Sequence, residues 1–174
     1  MSEEERNIPI EEAIEATRGA LSRVALLHIA FSKVLVEEFG EEEGRDLVAK
    51  AINEYGERIA HRLQKGLPDL TPLGLYDETG ETDEGRPFAR GCTLAKVFEE
   101  EDAIDVGYLY CYVDAAKMMA MDPDAKMIYT SCEACGDESC TMDIVPTTEK
   151  EQESFASRIG SWRSVDPRLF EFKG

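Results

Sequence analysis

Residues 10–40, IEEAIEATRGALSRVALLHIAFSKVLVEEFG, decide the first half of the fold. Apolar side chains return there every three, four or seven positions, as one face of an α-helix requires. The residues on this face are Ile14, Leu21, Val24, His28, Phe31 and Leu35. Gly40 follows the last periodic position, where helices commonly end on a glycine in the left-handed conformation. The stretch therefore predicts one long helix that ends at Gly40.

A second periodic stretch predicts a second helix from about Glu42 to Gln64. Its apolar positions follow the same helical spacing: Leu47, Val48, Ala51, Ile52, Tyr55, Ile59 and Leu63. Gly66 and Pro68 come directly after the stretch and end the helix. Because the connection between the two helices is short, we expect them to pack as an antiparallel hairpin.

The chain changes character after residue 66. Residues 67–90 are rich in Pro, Gly and acidic residues, and predict an irregular segment that is either a solvated excursion or the wall of a pocket. Residues 126–131 and 139–145 contain strand formers and predict a β-hairpin, with CEACGDE as its turn. Further short helices are expected over 93–99, 107–120 and about 148–162.

Together these patterns predict one α+β domain spanning residues 1–174. It has a helical half at 1–66, the irregular segment at 67–90 and a Cys-containing α/β half at 91–174. We expect the N-terminal helical hairpin to pack on a small antiparallel sheet with further short helices. A chain of 174 residues builds a core that needs neither a disulfide nor a metal to hold it.

The chain is strongly acidic, because 19 Lys and Arg are outnumbered by 37 Asp and Glu, for a net charge of −18. Nucleic acids and anionic membranes attract clustered Lys and Arg, so this balance argues against both as partners. The first ten residues contain no apolar signal segment, and no apolar run approaches the about 18 residues of a membrane span. Five cysteines without a signal peptide favour the cytoplasm. Assembly into a homo-oligomer is left open.

All five cysteines lie between residues 92 and 140. Cys132, Cys135 and Cys140 form a C-x2-C step followed by a C-x4-C step, which is half of a zinc or iron–sulfur ligand set. A four-ligand site needs a further thiolate from Cys92 or Cys111. Because a second C-x2-C is missing, we expect no metal. A zinc or iron site built from these five thiolates, a redox dithiol of Cys132 and Cys135, and plain buried thiols are the alternatives.

Cys111, Asp114 and Cys92 are the candidate catalytic residues. Cys111 and Asp114 are three positions apart on a predicted helix, so they share a face. A carboxylate beside a thiol orients a nucleophile or moves protons, although a core cysteine beside a backbone-bonded Asp has the same spacing. Cys92 precedes a predicted helix start, whose free N–H groups favour a thiolate.

The segment Gly91–Ile144 resembles the L-2-amino-thiazoline-4-carboxylate hydrolase-like family. The resemblance lies in an ordered series: Cys92-Thr-Leu-Ala, then Tyr110-Cys111-Tyr-Val-Asp114, then Gly136-Asp137-x-x-Cys140 leading into a strand. The helix junction FGEEEG at 39–44 is compared with a similar junction in the family. The G-D-x-x-C hairpin is also similar to one in 4-vinyl-reductase-type small-molecule-binding domains.

The resemblance implies an α+β domain that opens a small sulfur–nitrogen heterocycle carrying a carboxylate. The matching positions are Cys92, Cys111, Asp114, Asp137 and Cys140, and the chain departs from the family pattern at Cys132 and Cys135. We therefore expect a small-molecule hydrolase or lyase that uses a cysteine thiolate and Asp114. The expected substrate-binding residues are His28, Tyr108, Asp137 and Cys140. A non-catalytic small-molecule sensor and a thiolate metal-binding protein are the alternatives.

Overall fold

The computed structural model describes residues 8–67, 73–157, 165, 166 and 169. The helices in these residues are α1 (Ile10–Phe39), α2 (Glu41–Gln64), α3 (Thr93–Glu100), α4 (Ile104–Gly107), α5 (Tyr112–Met121) and α6 (Glu149–Ser157). The strands are β1 (Glu78–Glu81), β2 (Pro87–Arg90), β3 (Ala125–Ser131) and β4 (Cys140–Pro146). Two 3-10 turns, Tyr108–Cys111 and Glu133–Cys135, complete the elements.

The helical hairpin has the predicted form. α1 ends one residue before Gly40, whose φ of 83° reverses the chain, and α2 begins at the next residue. Gly44 lies so close to α1 that a Cβ added to it would stand 2.5 Å from the Val36 Cα atom. The two helices therefore meet tightly at their junction, as the short connection predicts.

The sheet has the strand order β1-β2-β4-β3, and every neighbouring pair is antiparallel. The β3–β4 hairpin is confirmed within one residue of its predicted bounds. β1 and β2 were not predicted, because they fall in the segment 67–90 that was expected to be irregular. Both are four residues long, β1 is exposed throughout, and neither shows a clear apolar alternation.

The short helices follow the prediction with one refinement. α3 begins at Thr93 as expected, whereas the expected helix over 107–120 is divided between the end of α4, a 3-10 turn and α5. α6 ends the continuous described chain, and the predicted continuation toward Trp162 lies outside the described residues. The fold is thus α+β, with the helical hairpin and short helices packed on a small antiparallel sheet, as predicted.

The core lies where α5 packs between α2 and β3. A Cβ added to Gly56 of α2 would stand 2.6 Å from the Ala116 Cβ atom and 2.9 Å from the Lys117 nitrogen. Only a glycine allows this approach, because the neighbouring atoms belong to the backbone and first side-chain carbon of α5. Phe98, Leu109 and Met119 fill the interior beside this contact and are almost fully buried.

α1 is more apolar on its outside than the sequence analysis assumed. It contains an 18-residue window of mean hydropathy 1.5, of which 22% is buried in the chain. By length and composition alone α1 is able to cross a membrane. The expectation that no apolar run approaches the about 18 residues of a membrane span was therefore too strong.

We predict opposite effects for two glycine substitutions within helices. Gly56→Ala forces α2 away from α5 and should lower the free energy of unfolding by about 1–3 kcal/mol. Gly19→Ala, in α1, should raise it by about 0.5–1 kcal/mol, because nothing lies within 4 Å of the added Cβ and alanine favours a helix. Urea unfolding measures both, and equal effects of the two substitutions would contradict the close α2–α5 approach.

Candidate functional site

Four cysteines from four different elements lie together and form a group that we call the thiol cluster. Its members are Cys92 before α3, Cys111 before α5, Cys132 after β3 and Cys140 at the start of β4. The Cys111 and Cys132 Sγ atoms are 3.9 Å apart. Cys140 interacts with Cys132 and with Cys92, which completes the group. All four are free thiols, and all except the half-buried Cys111 are buried.

The turn between β3 and β4 positions two of these sulfurs. Residues Glu133–Cys135 form a 3-10 turn that ends at Gly136, whose φ of 91° is the left-handed conformation. The Cys132 N–H donates to the Asp137 carboxylate at 2.7 Å, and the Glu133 N–H donates to the Cys140 Sγ atom at 3.3 Å. The backbone of the turn therefore holds one sulfur directly and fixes the residue that carries the other.

Glu133 connects this turn to the start of α3. Its two carboxylate oxygens accept the N–H groups of Gly91 at 2.8 Å and Cys92 at 2.7 Å. Hydrogen bonds to a charged acceptor are stronger than neutral ones, so this contact fixes Cys92 against the hairpin. The sequence analysis did not select Glu133, because one glutamate in an acidic turn carries no signal of its own.

Asp114 belongs to the same part of the molecule. Its Oδ2 atom accepts the Tyr129 hydroxyl at 2.7 Å, and its Oδ1 atom lies 3.4 Å from the Lys117 Nζ atom. The Tyr76 phenol interacts electrostatically with Asp114 and with three of the clustered thiols. Asp114 and Cys111 both interact with the phenols of Tyr76 and Tyr129, two tyrosines that the sequence did not reveal.

The thiols of Cys92, Cys111 and Cys140 hold their protons. Hydrogen bonding with Cys132, followed by burial, raises the pKa of the Cys111 thiol well above its ordinary value. The same hydrogen-bonding cause and burial raise the pKa of Cys140. Burial raises the pKa of Cys92 to about 12, although the N–H groups at the start of α3 act in the opposite direction. The expectation of a Cys92 thiolate is therefore not met, because desolvation outweighs the helix end.

The other predicted residues lie elsewhere. Cys135 is buried and interacts with Tyr108, whose hydroxyl accepts a hydrogen bond from Arg45 at 2.9 Å. His28 is buried in α1 with its Nε2 atom 3.0 Å from the Val106 carbonyl oxygen. Burial lowers the pKa of His28, so the ring is neutral at neutral pH.

His28 faces a groove between α1 and α2 that has a volume of about 330 Å³. The lining is mostly apolar, and Tyr55 and Tyr110 supply most of its aromatic surface. The His28 and Tyr110 rings meet edge to face with centroids 5.5 Å apart. Tyr110 directly precedes Cys111, so one peptide bond separates the wall of the groove from the thiol cluster.

Comparisons with models of protein families, with curated proteins and with solved structures find no match to this chain. Within the described residues, no group of three or more His, Cys, Asp or Glu side chains has an arrangement that could hold a metal ion. The thiol cluster is thus a set of neighbouring side chains, three of which have raised pKa values. The chemistry of the cluster depends on what removes the thiol protons.

We predict that Cys92 makes the metal-free, reduced protein less stable at alkaline pH. An unfolded thiol ionises above about pH 8.5, whereas folded Cys92 keeps its proton until about pH 12. The contribution of protonated Cys92 to the free energy of unfolding is complete below pH 8.5 and is lost as the pH rises toward 12. The wild type should therefore lose about 1.4 kcal/mol more per pH unit between pH 9 and 11 than Cys92→Ala.

The control for this measurement is Val97→Ala, which removes buried apolar volume from α3 without removing a titrating group. Its unfolding free energy should run parallel to that of the wild type over the same pH range. A Cys92→Ala profile that also runs parallel would contradict the protonated state of Cys92.

Proposed function

We propose that the protein binds a soft divalent metal ion, zinc foremost, through the thiol cluster, which is Cys92, Cys111, Cys132 and Cys140. The observation that carries this proposal is the 3.9 Å approach of the Cys111 and Cys132 Sγ atoms, together with the interactions of Cys140 and Cys92 with these two thiols. The two outer cysteines stand 48 residues apart in the chain, at positions 92 and 140. The fold, and not a short motif, therefore assembles the group.

The sulfur spacing agrees with a tetrahedral site. Four sulfurs at about 2.3 Å from zinc stand about 3.8 Å from one another by simple geometry. The Cys111–Cys132 separation of 3.9 Å already has this value. Side-chain shifts must bring the other sulfurs to the same separation. The Glu133 N–H donates a hydrogen bond to the Cys140 Sγ atom, and this hydrogen bond becomes stronger when Cys140 is a thiolate.

The proton balance favours metal binding over thiol catalysis. A nucleophilic cysteine works as its thiolate, and the raised pKa values of Cys92 and Cys111 keep both protonated near neutral pH. A metal ion brings positive charge into the buried site, and this charge stabilises several adjacent thiolates at once. All-sulfur donor sets select zinc, copper(I) and iron over magnesium or calcium.

We predict that zinc binding separates two cysteines of the same turn. Cys132→Ser removes a sulfur of the cluster and should weaken zinc binding at least about 100-fold, whereas Cys135→Ser should bind one zinc per chain like the wild type. Competition with a chromogenic chelator measures the affinities in reduced protein. Cobalt(II) should give the visible bands of a tetrahedral thiolate site in the wild type and Cys135→Ser only.

The same experiment has clear contrary outcomes. An equal loss of zinc affinity in Cys132→Ser and Cys135→Ser, or no metal bound by the folded wild type, would contradict the proposal. Because each bound metal displaces thiol protons, the affinity of the wild type should also rise with pH. A pH-independent affinity would show that the metal binds through other groups.

A small-molecule hydrolase or lyase is the second candidate. It is favoured by the contact between Asp114 and the Tyr129 hydroxyl one helical turn from Cys111. Such a carboxylate–phenol pair holds a proton in a defined place, which general acid–base catalysis needs. Because the thiols then serve as nucleophiles, this candidate and a four-thiolate metal site compete for the same residues.

We predict that Asp114→Asn removes most turnover of any small thiazoline carboxylate that the protein hydrolyses. The change keeps the shape of the side chain but not its negative charge. Melting temperature serves as the control for folding, and Lys117→Gln tests whether loss of a neighbouring charge alone has the same effect. Turnover that Asp114→Asn leaves unchanged would exclude Asp114 from catalysis.

A further inference from the structure

α1 carries an apolar stripe on the side that faces away from the core. Its members are Val24, Leu27, Phe31 and Val34, which expose 38%, 58%, 64% and 54% of their surfaces. The spacings of three and four place these side chains along one line of the helix. Ala25 and Ile29 are buried on the opposite side. Together the exposed side chains leave on the order of 400 Å² of contiguous apolar surface, a size that marks interaction sites.

The stripe borders the groove between α1 and α2. Val24, Leu27 and Phe31 form its rim, and Ile52 and Tyr110 lie among its lining residues. One face of the molecule therefore presents exposed apolar side chains around a hollow of about 330 Å³. A surface that contains both shapes is complementary to itself, as the interface of a two-fold dimer must be.

We propose that this face binds a second copy of the same chain. The two α1 helices cross antiparallel about a two-fold axis, and each Phe31 enters the groove of the other copy. The α1–α2 hairpins then form a four-helix bundle, in which helices pack by the same ridges and grooves as within one chain. Two such stripes bury about 800 Å², and the groove linings beside them must supply the rest of the about 1,200 Å² that specific interfaces bury.

Charges at the ends of the stripe agree with the antiparallel arrangement. Arg23 and Glu38 are both exposed, and a two-fold axis that crosses α1 between Ala30 and Phe31, inside the stripe, lies about 11 Å along the helix from each of them. An antiparallel partner therefore places its Glu38 opposite Arg23, twice in each dimer. In the described part of the chain neither residue has an ion-pair partner, so both charges are available for the pairing.

A lipid bilayer is the other surface that an apolar helix face fits. The charge pattern argues against binding to a bilayer, because α1 has acidic side chains in its first turn and near its end. The whole chain also carries a net charge of −18. Anionic bilayers repel such a surface. Binding to vesicles therefore enters the test as an outcome that overturns the proposal.

The first test compares Phe31→Asp with Leu26→Asp. Leu26 lies on the same helix and is 43% exposed, but it lies off the stripe, so it controls for adding a charge to α1. Sedimentation velocity over a range of protein concentrations should show a dimer for the wild type and Leu26→Asp. The dissociation constant of Phe31→Asp should be at least ~30-fold higher, as for a central anchor residue, with an unchanged circular dichroism spectrum.

The second test reverses the proposed charge pair. Arg23→Glu should weaken the dimer about 10-fold, because it places two acids opposite each other. Adding Glu38→Arg should restore the wild-type dissociation constant to within about 3-fold, since the double variant rebuilds the pairs with opposite sense. A parallel dimer would not show this rescue.

The outcomes separate this proposal from the metal site. A wild type that stays monomeric at hundreds of micromolar, a Phe31→Asp dimer of unchanged strength, or binding of the wild type to phosphatidylcholine vesicles would each overturn it. Monomeric, folded Phe31→Asp that still binds one zinc per chain would support the dimer interface and show that the thiol cluster works independently. Absence of rescue in the double variant would exclude the antiparallel register.

Discussion

The arrangement of the site depends on one carboxylate. Glu133 accepts the N–H groups of Gly91 and Cys92, and so ties the β3–β4 turn to the chain that enters α3. Hydrogen bonds to a charged group contribute about 1.5–3 kcal/mol each, which is large against the marginal stability of a domain. The short β2–β4 pairing and the packing of α3 on the Glu133–Cys135 turn also hold the two ends of the cysteine-bearing segment together.

Bringing four thiols into one buried place has an electrostatic consequence. Each thiol that ionises there must do so beside other sulfurs and away from water, so burial and hydrogen bonding raise the pKa values of Cys92, Cys111 and Cys140. A cluster of this kind is stable either with its protons or with a cation that replaces them. This choice is why thiol catalysis and metal binding exclude each other at the same residues.

The sequence was informative where a pattern is local. Helical spacing predicted α1 and α2 closely, and strand formers predicted the β3–β4 hairpin. β1 and β2 escaped because each strand has only four residues, which are too few to show a periodic signal. The approach of Cys111 to Cys132 leaves no local pattern, because the fold alone brings residues 21 positions apart together, and the sequence named Cys111 only as one possible partner of this turn. The sequence showed that Cys92 precedes a helix start, but it did not show that burial raises the pKa of this thiol.

One short segment serves both the groove and the thiol cluster. Residues Tyr108–Cys111 form a 3-10 turn, in which successive side chains point about 120° apart. Tyr110 therefore lies against His28 and Tyr55 in the groove, while Cys111 turns toward Cys132. The tight turn is the reason why a single helical run from α4 to α5 forms the wall of one surface and supplies a thiol to the other.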